Sequence, residues 1–265
     1  MMNTILDQAF KWDPAITGRA LYFINQFGKL NPDKQPVFFS LNGSRLYGTS
    51  TEASDYDFVG ACVEPINYFF AFKHFEQCEL KIEAMQSEGV IYSLNKFVSM
   101  LASGNPTLLS LIFNDNAADR IGLTTTEIRN AIVSRRAADA FHGYARQQIK
   151  RIHTNQALHV TRQKLIQKYG YDTKYAAHVF RLVAQGIELL TTGSISLPMH
   201  KDNIEECLFV LNGGYKTLDE FVREANTRLE RLSAAEKESY LPEKADTEFL
   251  NDFLVTTYKK FSPGM

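Results

Sequence analysis

The chain has 265 residues, 45% hydrophobic and 22% charged, a balance that suits a globular fold of one large or two small domains and argues against a disordered chain. No apolar run approaches membrane-spanning length, and Cys62, Cys78 and Cys207 are too scattered for a zinc site or a disulfide framework, so a reducing cytoplasm is the expected location. The net charge of −1 hides an asymmetry: residues 129–168 carry nine Lys/Arg and one acid, Asp139, a local +8, between flanks in which acids outnumber bases.

The opening MMNTILDQAFKWDP lacks the basic, apolar and cleavage regions of a signal peptide. Ile16–Leu30 has Ala20, Phe23, Ile24 and Phe27 on one side and stops at Asn31-Pro32, which predicts a helix packed on a sheet. Val37–Leu41 reads as a buried strand that ends at Asn42-Gly43-Ser44. A polar loop leads to Asp55-Tyr56-Asp57-Phe58-Val59, read as a second strand with Asp55 and Asp57 on one face. Two adjacent carboxylates repel unless a cation lies between them, and Mg²⁺ or Mn²⁺ with phosphate is the natural partner of such hard oxygens. Gly43 would let a phosphate approach the backbone, and a helix starting near Ser44 would turn free N–H groups toward it.

Ile66–Phe72 is strongly aromatic, a composition that suits a core or a site rim. Cys78–Met85 alternates and reads as a third strand, and Leu94–Leu101 as a helix closed by Ser103-Gly104-Asn105-Pro106. Pro106–Phe113 reads as a short helix, with Asn114–Arg120 as a domain boundary. Asp139–His153, Leu158–Tyr169, Thr173–Leu190, Asn203–Leu211, Thr217–Leu232 and Asp246–Phe261 follow as helices, Gly193 capping the third of them. The expected fold is α+β: a phosphate-handling α/β part with a small mixed sheet over 1–118, then a helical bundle over 119–265. Arg146 and Lys150 share a helix face beside Arg151, and Arg162, Lys164 and Lys168 lie on the next helix. They are candidates for a polyanionic acceptor, with His142, Tyr144 and His153 available to stack on bases. No histidine pair has metal-ligand spacing, and there is no Walker-type or Rossmann-type glycine loop.

Gly43-Ser44, ten residues, then Asp55-x-Asp57 resembles the signature of the DNA polymerase β-type nucleotidyltransferases. GSRLYGT…SDYDFVG is similar to a subfamily found in bacteria and phages, some of it associated with RNA repair. The resemblance implies that Asp55 and Asp57 hold metal, that Gly43 and Ser44 bind the β- and γ-phosphates of a nucleoside triphosphate, and that Arg45 neutralises charge beside them. EGVIYSLNKF…GNP resembles the subfamily's D-x-x-x-Y…KF…GNP pattern and puts Glu88 at the third-carboxylate position where an Asp is usual, a departure that moves the oxygen outward by one methylene, with Glu83 as the competing residue. Lys174, His178 and Arg181 match polar positions implied to grip the triphosphate. On spacing alone, the stripe Lys174–His178–Arg181–Gln185–Glu188 is a solvated helix face, and His178 suits a structural role equally well. The implied reaction is transfer of a nucleoside monophosphate to an acceptor hydroxyl. An RNA end is favoured by the basic segment; a protein or small-molecule acceptor, or a catalytically weak binding module, is the alternative.

Overall fold

Asp13 caps the N-terminus of the first described helix. Its Oδ1 accepts from the Ala15 N–H at 2.8 Å, and Pro14 fills the first helical position, where a missing N–H costs nothing. The computed structural model describes residues 12–70, 72, 74–154 and 160–261. Helix α1 (Pro14–Leu30) is followed by strand β1 (Gln35–Asn42), the short helix α2 (Gly43–Tyr47), β2 (Tyr56–Val63), β3 (Gln77–Ile82), β4 (Ser87–Ser93), α3 (Leu94–Ala102), α4 (Pro106–Ile112), β5 (Ala118–Asp119) and α5 (Thr126–Ile132). The sheet order is β3-β4-β2-β1-β5, with β2 and β4 parallel and the other pairs antiparallel.

The two faces of this sheet are covered differently. Phe23, Ile24 and Phe27 of α1 pack on Phe39, Leu41, Phe58 and Ile91, with the Phe23 and Phe58 rings 5.6 Å apart. Each ring removed from water in this way stabilises the fold by roughly 1.5–3 kcal/mol. On the other face, Phe97 of α3 meets Phe38 at 5.4 Å and Tyr92 at 6.3 Å. Phe38, Ala61 and Tyr92 are register partners; α3 therefore covers one end of this face, and the end bearing Asp57 is open.

A second unit is helical: α6 (Ala137–His153), α7 (Val160–Tyr169), α8 (Thr173–Thr192), α9 (Lys201–Leu211) and α10 (Leu218–Glu238). The expected start of α7 at Leu158 lies outside the described residues. Helix α8 is central and packs against the other four. Gly186 permits this, because a Cβ there would lie 2.9 Å from Leu232 and 3.0 Å from Phe141. The helix stops at Gly193, whose φ of +73° and N–H bond to Leu189 O at 2.8 Å form the expected left-handed cap.

The last helix, α11 (Thr247–Phe261), belongs with the sheet. The Tyr258 hydroxyl accepts from the Asn95 N–H at 3.2 Å, and its ring meets Phe69 at 5.1 Å. The compact units accordingly divide as positions up to Ala102, Thr107–Ile132 and from Ala245 onward, against Ser103–Pro106 and Val133–Lys244. The segment read as a boundary supplies β5, whose Asp119 carboxylate accepts from the Ile121, Gly122 and Thr124 N–H groups. Among the described residues no helix is long and apolar enough to cross a membrane.

Candidate active site

The open face is organised as one row across four strands. Asn42 pairs with Asp57, Asp57 with Glu88, and Glu88 with Lys81. Register partners point to the same side of a sheet and neighbouring strands lie about 4.8 Å apart, so these four side chains form a continuous polar line. Together with Val59, Val90 and Glu79 from the same face they line a cleft of 470 Å³. Asp57 is half-buried and Glu88 exposed.

Strand β2 begins at Tyr56, so Asp55 stands on the loop just before it rather than within the strand, and is exposed. The loop is held by Arg45. Its guanidinium donates to the carbonyls of Ser54 at 2.6 Å, Asp55 at 3.2 Å and Glu52 at 3.5 Å, and lies 3.8 Å from the centre of the Tyr56 ring. Arg45, expected beside phosphate, is thus engaged in fixing the backbone that carries Asp55. Helix α2 starts at Gly43, one residue before Ser44.

Gly43 has a reason that the sequence alone does not reveal. Its φ is +67°, and a Cβ there would lie 1.8 Å from Asp57 Oδ2. The carboxylate occupies the space that any side chain would need, and the left-handed backbone adds a second demand for glycine. The Tyr47 hydroxyl donates to Asn42 Oδ1 at 3.0 Å, orienting the residue next to Asp57 in the row.

Of the two candidates for third carboxylate, Glu88 is the one in register with Asp57. Glu83 sits in a one-turn 3₁₀ helix past the end of β3 and pairs with Lys81 at 2.7 Å, both side chains exposed. Lys81 is a feature that sequence reading passed over. Hydrogen bonding to Glu83 raises its pKa, and the charges of Glu88 and Asp55 act in the same direction, so it partly offsets carboxylate repulsion at this end of the sheet. Carboxylate oxygens are the donors a hard divalent cation takes, and Asp57 Oδ2 occupies the space that a Cβ on Gly43 would need. Among the described residues no three His, Cys, Asp or Glu side chains already converge as a ligand set.

The remaining predicted residues belong to the helical unit. Lys174 is exposed, but Arg181 and Gln185 are buried, at 6% and 1% exposure. The stripe is therefore not a solvated face. Arg181 donates to Gln185 Oε1 and to His178 Nε2. A guanidinium can only donate, so His178 Nε2 accepts and the ring is neutral. Burial, then the charges of Arg181, Arg162 and Arg151, push its pKa well below the usual histidine value. Arg162 is held by Asp172 at 3.0 Å and lies 3.8 Å over the Tyr175 ring, while Asp172 caps α8 through the Lys174 and Tyr175 N–H groups. Three helices thus bring Arg151, Arg162 and Arg181 around one neutral histidine.

Arg146, Lys150 and Arg151 are exposed on α6, as are Lys164 and Lys168 on α7. The basic segment is not one surface, however: Arg129 pairs with Asp115 at 2.9 Å in the sheet unit, and Arg162 with Asp172. His142 is also removed from any role in stacking on bases, since it is buried against Ser233 Oγ at 3.1 Å. Tyr144 and His153 remain exposed.

A mixed sheet with α1 on one face, and carboxylates in register on the other beside a glycine-started helix, defines a polymerase β-type nucleotidyltransferase architecture. The RNA repair pathway DNA polymerase beta family (RlaP) matches over residues 31–256, and the chain belongs to that family. Among curated proteins, none matches. The chain is similar to a solved nucleotidyltransferase-like protein from Exiguobacterium sibiricum, with 9% identity over 90% of this chain and 79% of that one and a TM-score of 0.29.

Proposed function

We propose that the protein transfers a nucleoside monophosphate from a nucleoside triphosphate to a hydroxyl at an RNA end and releases pyrophosphate. The observation that carries this reading is the row Asn42–Asp57–Glu88 on the open face of the sheet, with Asp57 against Gly43. Catalysis is assigned to the part within 1–118, and substrate holding to the helices within 119–265.

Asp55, Asp57 and Glu88 are the residues that would hold a divalent cation, Mg²⁺ or Mn²⁺, which supplies charge neutralisation to the phosphates and acidifies the acceptor hydroxyl. Gly43 and Ser44 receive the β- and γ-phosphates. The acceptor oxygen attacks the α-phosphorus, the bond from that phosphorus to the bridging oxygen of the β-phosphate breaks, and the hydroxyl proton passes to Glu88. Arg45 acts through the loop carbonyls that it binds, keeping Asp55 in place. Arg146, Lys150 and Arg151, exposed on α6, receive the RNA backbone.

Incubation with α-labelled nucleoside triphosphates in the presence of total RNA and total protein tests the proposal. Label is expected on RNA, dependent on Mg²⁺ or Mn²⁺, and absent with Asp55→Ala or Asp57→Ala. Label on protein alone would overturn the acceptor assignment, and undiminished labelling by Asp57→Ala the active-site assignment.

A further inference from the structure

The sheet has two edges of different kinds. At one, β5 contributes only Ala118–Asp119; at the other, β3 runs from Gln77 to Ile82 without a proline and in unbroken register with β4. Among the described residues no backbone hydrogen bond reaches the outer side of β3. An open edge of this length is a template for another strand.

The ladder fixes which groups that edge offers. The Ser93 N–H donates to the Glu76 carbonyl at 2.8 Å. By alternation the backbone groups of Cys78, Leu80 and Ile82 also face β4, and those of Gln77, Glu79 and Lys81 face outward. The side chains divide in the same way. Glu79 and Lys81 are exposed on the open face, in the lining of the candidate cleft. Cys78, Leu80 and Ile82 pack on the core from the other face but are only half-buried.

This pattern is complementary to itself. A second copy laid antiparallel along the edge, with Leu80 on the two-fold axis, sets Glu79 opposite the partner subunit's Lys81 and Lys81 opposite the partner subunit's Glu79. These are the residues whose backbone groups face outward, so hydrogen bonds and opposite-charge pairs form at the same positions. Leu80 meets its own copy, and Cys78 meets the partner subunit's Ile82, in non-hydrogen-bonded pairs, where side chains lie closest. Moving the axis by one residue sets Glu79 against Glu79 or Lys81 against Lys81, which is destabilising. Moving it by half a residue sets each charge against an apolar side chain. Contacts within the chain offer weak competition: Lys81 holds Glu83 at 2.7 Å, but both side chains are exposed, and such pairs are worth little.

The geometry points to self-association of this chain through β3, an isologous dimer in which two sheets join edge to edge. The two-fold axis is perpendicular to the sheet. Both open faces therefore lie on one side, and each cleft gains the partner subunit's Lys81 beside its own Glu79. The inference does not depend on nucleotidyl transfer. A short edge makes the association weak and dependent on concentration.

Sedimentation velocity of the full chain from about 1 to 200 µM, the range that reads a micromolar association, tests it. The wild type passes from monomer to dimer. Lys81→Glu and Glu79→Lys each weaken dimerisation by about 10-fold or more, because both cross-strand pairs change sign at once. Both residues are exposed, so the variants keep the fold, which thermal melting checks. The double variant Glu79→Lys/Lys81→Glu dimerises again, and an equimolar mixture of the two single variants forms a heterodimer. A monomer at every concentration would overturn the inference and leave the edge to a strand of another protein. A dimer indifferent to the single reversals, or reversals that fail to rescue each other, would overturn it as well.

Discussion

Replacing Gly43 by alanine is the sharpest probe of the catalytic end of the sheet. The new Cβ would lie 1.8 Å from Asp57 Oδ2, where real Cβ atoms keep at least 3.0 Å. The carboxylate must therefore retreat by on the order of 1 Å, and a displacement of that size at a reacting centre costs about 100-fold in rate. That is roughly 2.7 kcal/mol of barrier. The backbone φ of +67° adds about 1–2 kcal/mol of strain for a residue with a side chain, enough to lower the melting temperature by several degrees. Steady-state transfer with Mg²⁺ titration, alongside thermal melting, separates these effects. Gly43→Ala is expected to remain folded, to turn over about 100-fold more slowly and to need more Mg²⁺. In an Asp57→Asn background it should add little to the loss, because both changes act on one carboxylate. Wild-type turnover and Mg²⁺ requirement in Gly43→Ala would refute the reasoning and return Gly43 to a role toward phosphate alone.

Glu88→Gln is expected to reduce turnover by orders of magnitude with little change in nucleotide affinity, and Glu83→Gln to be near neutral; the opposite ranking in single-turnover assays would move the third carboxylate to Glu83. Because the folded-state pKa of His178 lies well below 6.5, its contribution to stability is complete above pH 6.5 and is lost as pH falls through the folded value. Denaturation across pH 4–8 should show that slope, reduced in His178→Gln. If the triphosphate binds at His178 and Arg181, its charge raises the histidine pKa, so binding takes up a proton and tightens as pH falls; proton-release calorimetry that finds no uptake would place the nucleotide elsewhere. Replacing Arg146, Lys150 and Arg151 together by alanine should make the log–log salt dependence of RNA binding shallower by about 2, at roughly 0.7 per single-strand phosphate contact, and an unchanged slope would remove these residues from the acceptor site.

Local chemistry in the sequence determined much of this protein. The apolar spacing of Ala20, Phe23, Ile24 and Phe27 marks α1, which begins at Pro14 rather than at the expected Ile16, Gly193 ends α8, the alternation around Asp57 marks β2, and the interval from Gly43-Ser44 to Asp55-x-Asp57 points to the nucleotidyltransferase family. Each of these signals lies within one element or one loop, where neighbouring residues alone set the backbone. Pairing across distance had to come from the tertiary structure. The family resemblance favours Glu88 over Glu83 without giving a distance to Asp57, and strand register puts Glu88 beside Asp57 and leaves Glu83 past the end of its strand. The same holds for Ala118–Asp119, too short to carry a period yet a fifth strand through β1, and for α11, whose amphipathic pattern suits any apolar surface but which packs with the sheet. Arg45 and Arg181 look alike as exposed basic residues in the sequence; one is committed to loop carbonyls and the other is buried against Gln185 and His178. Periodicity reports which face of an element is apolar. Which partner covers that face, and whether a charge within it meets solvent, an acceptor or another cation, is decided only when distant segments come together.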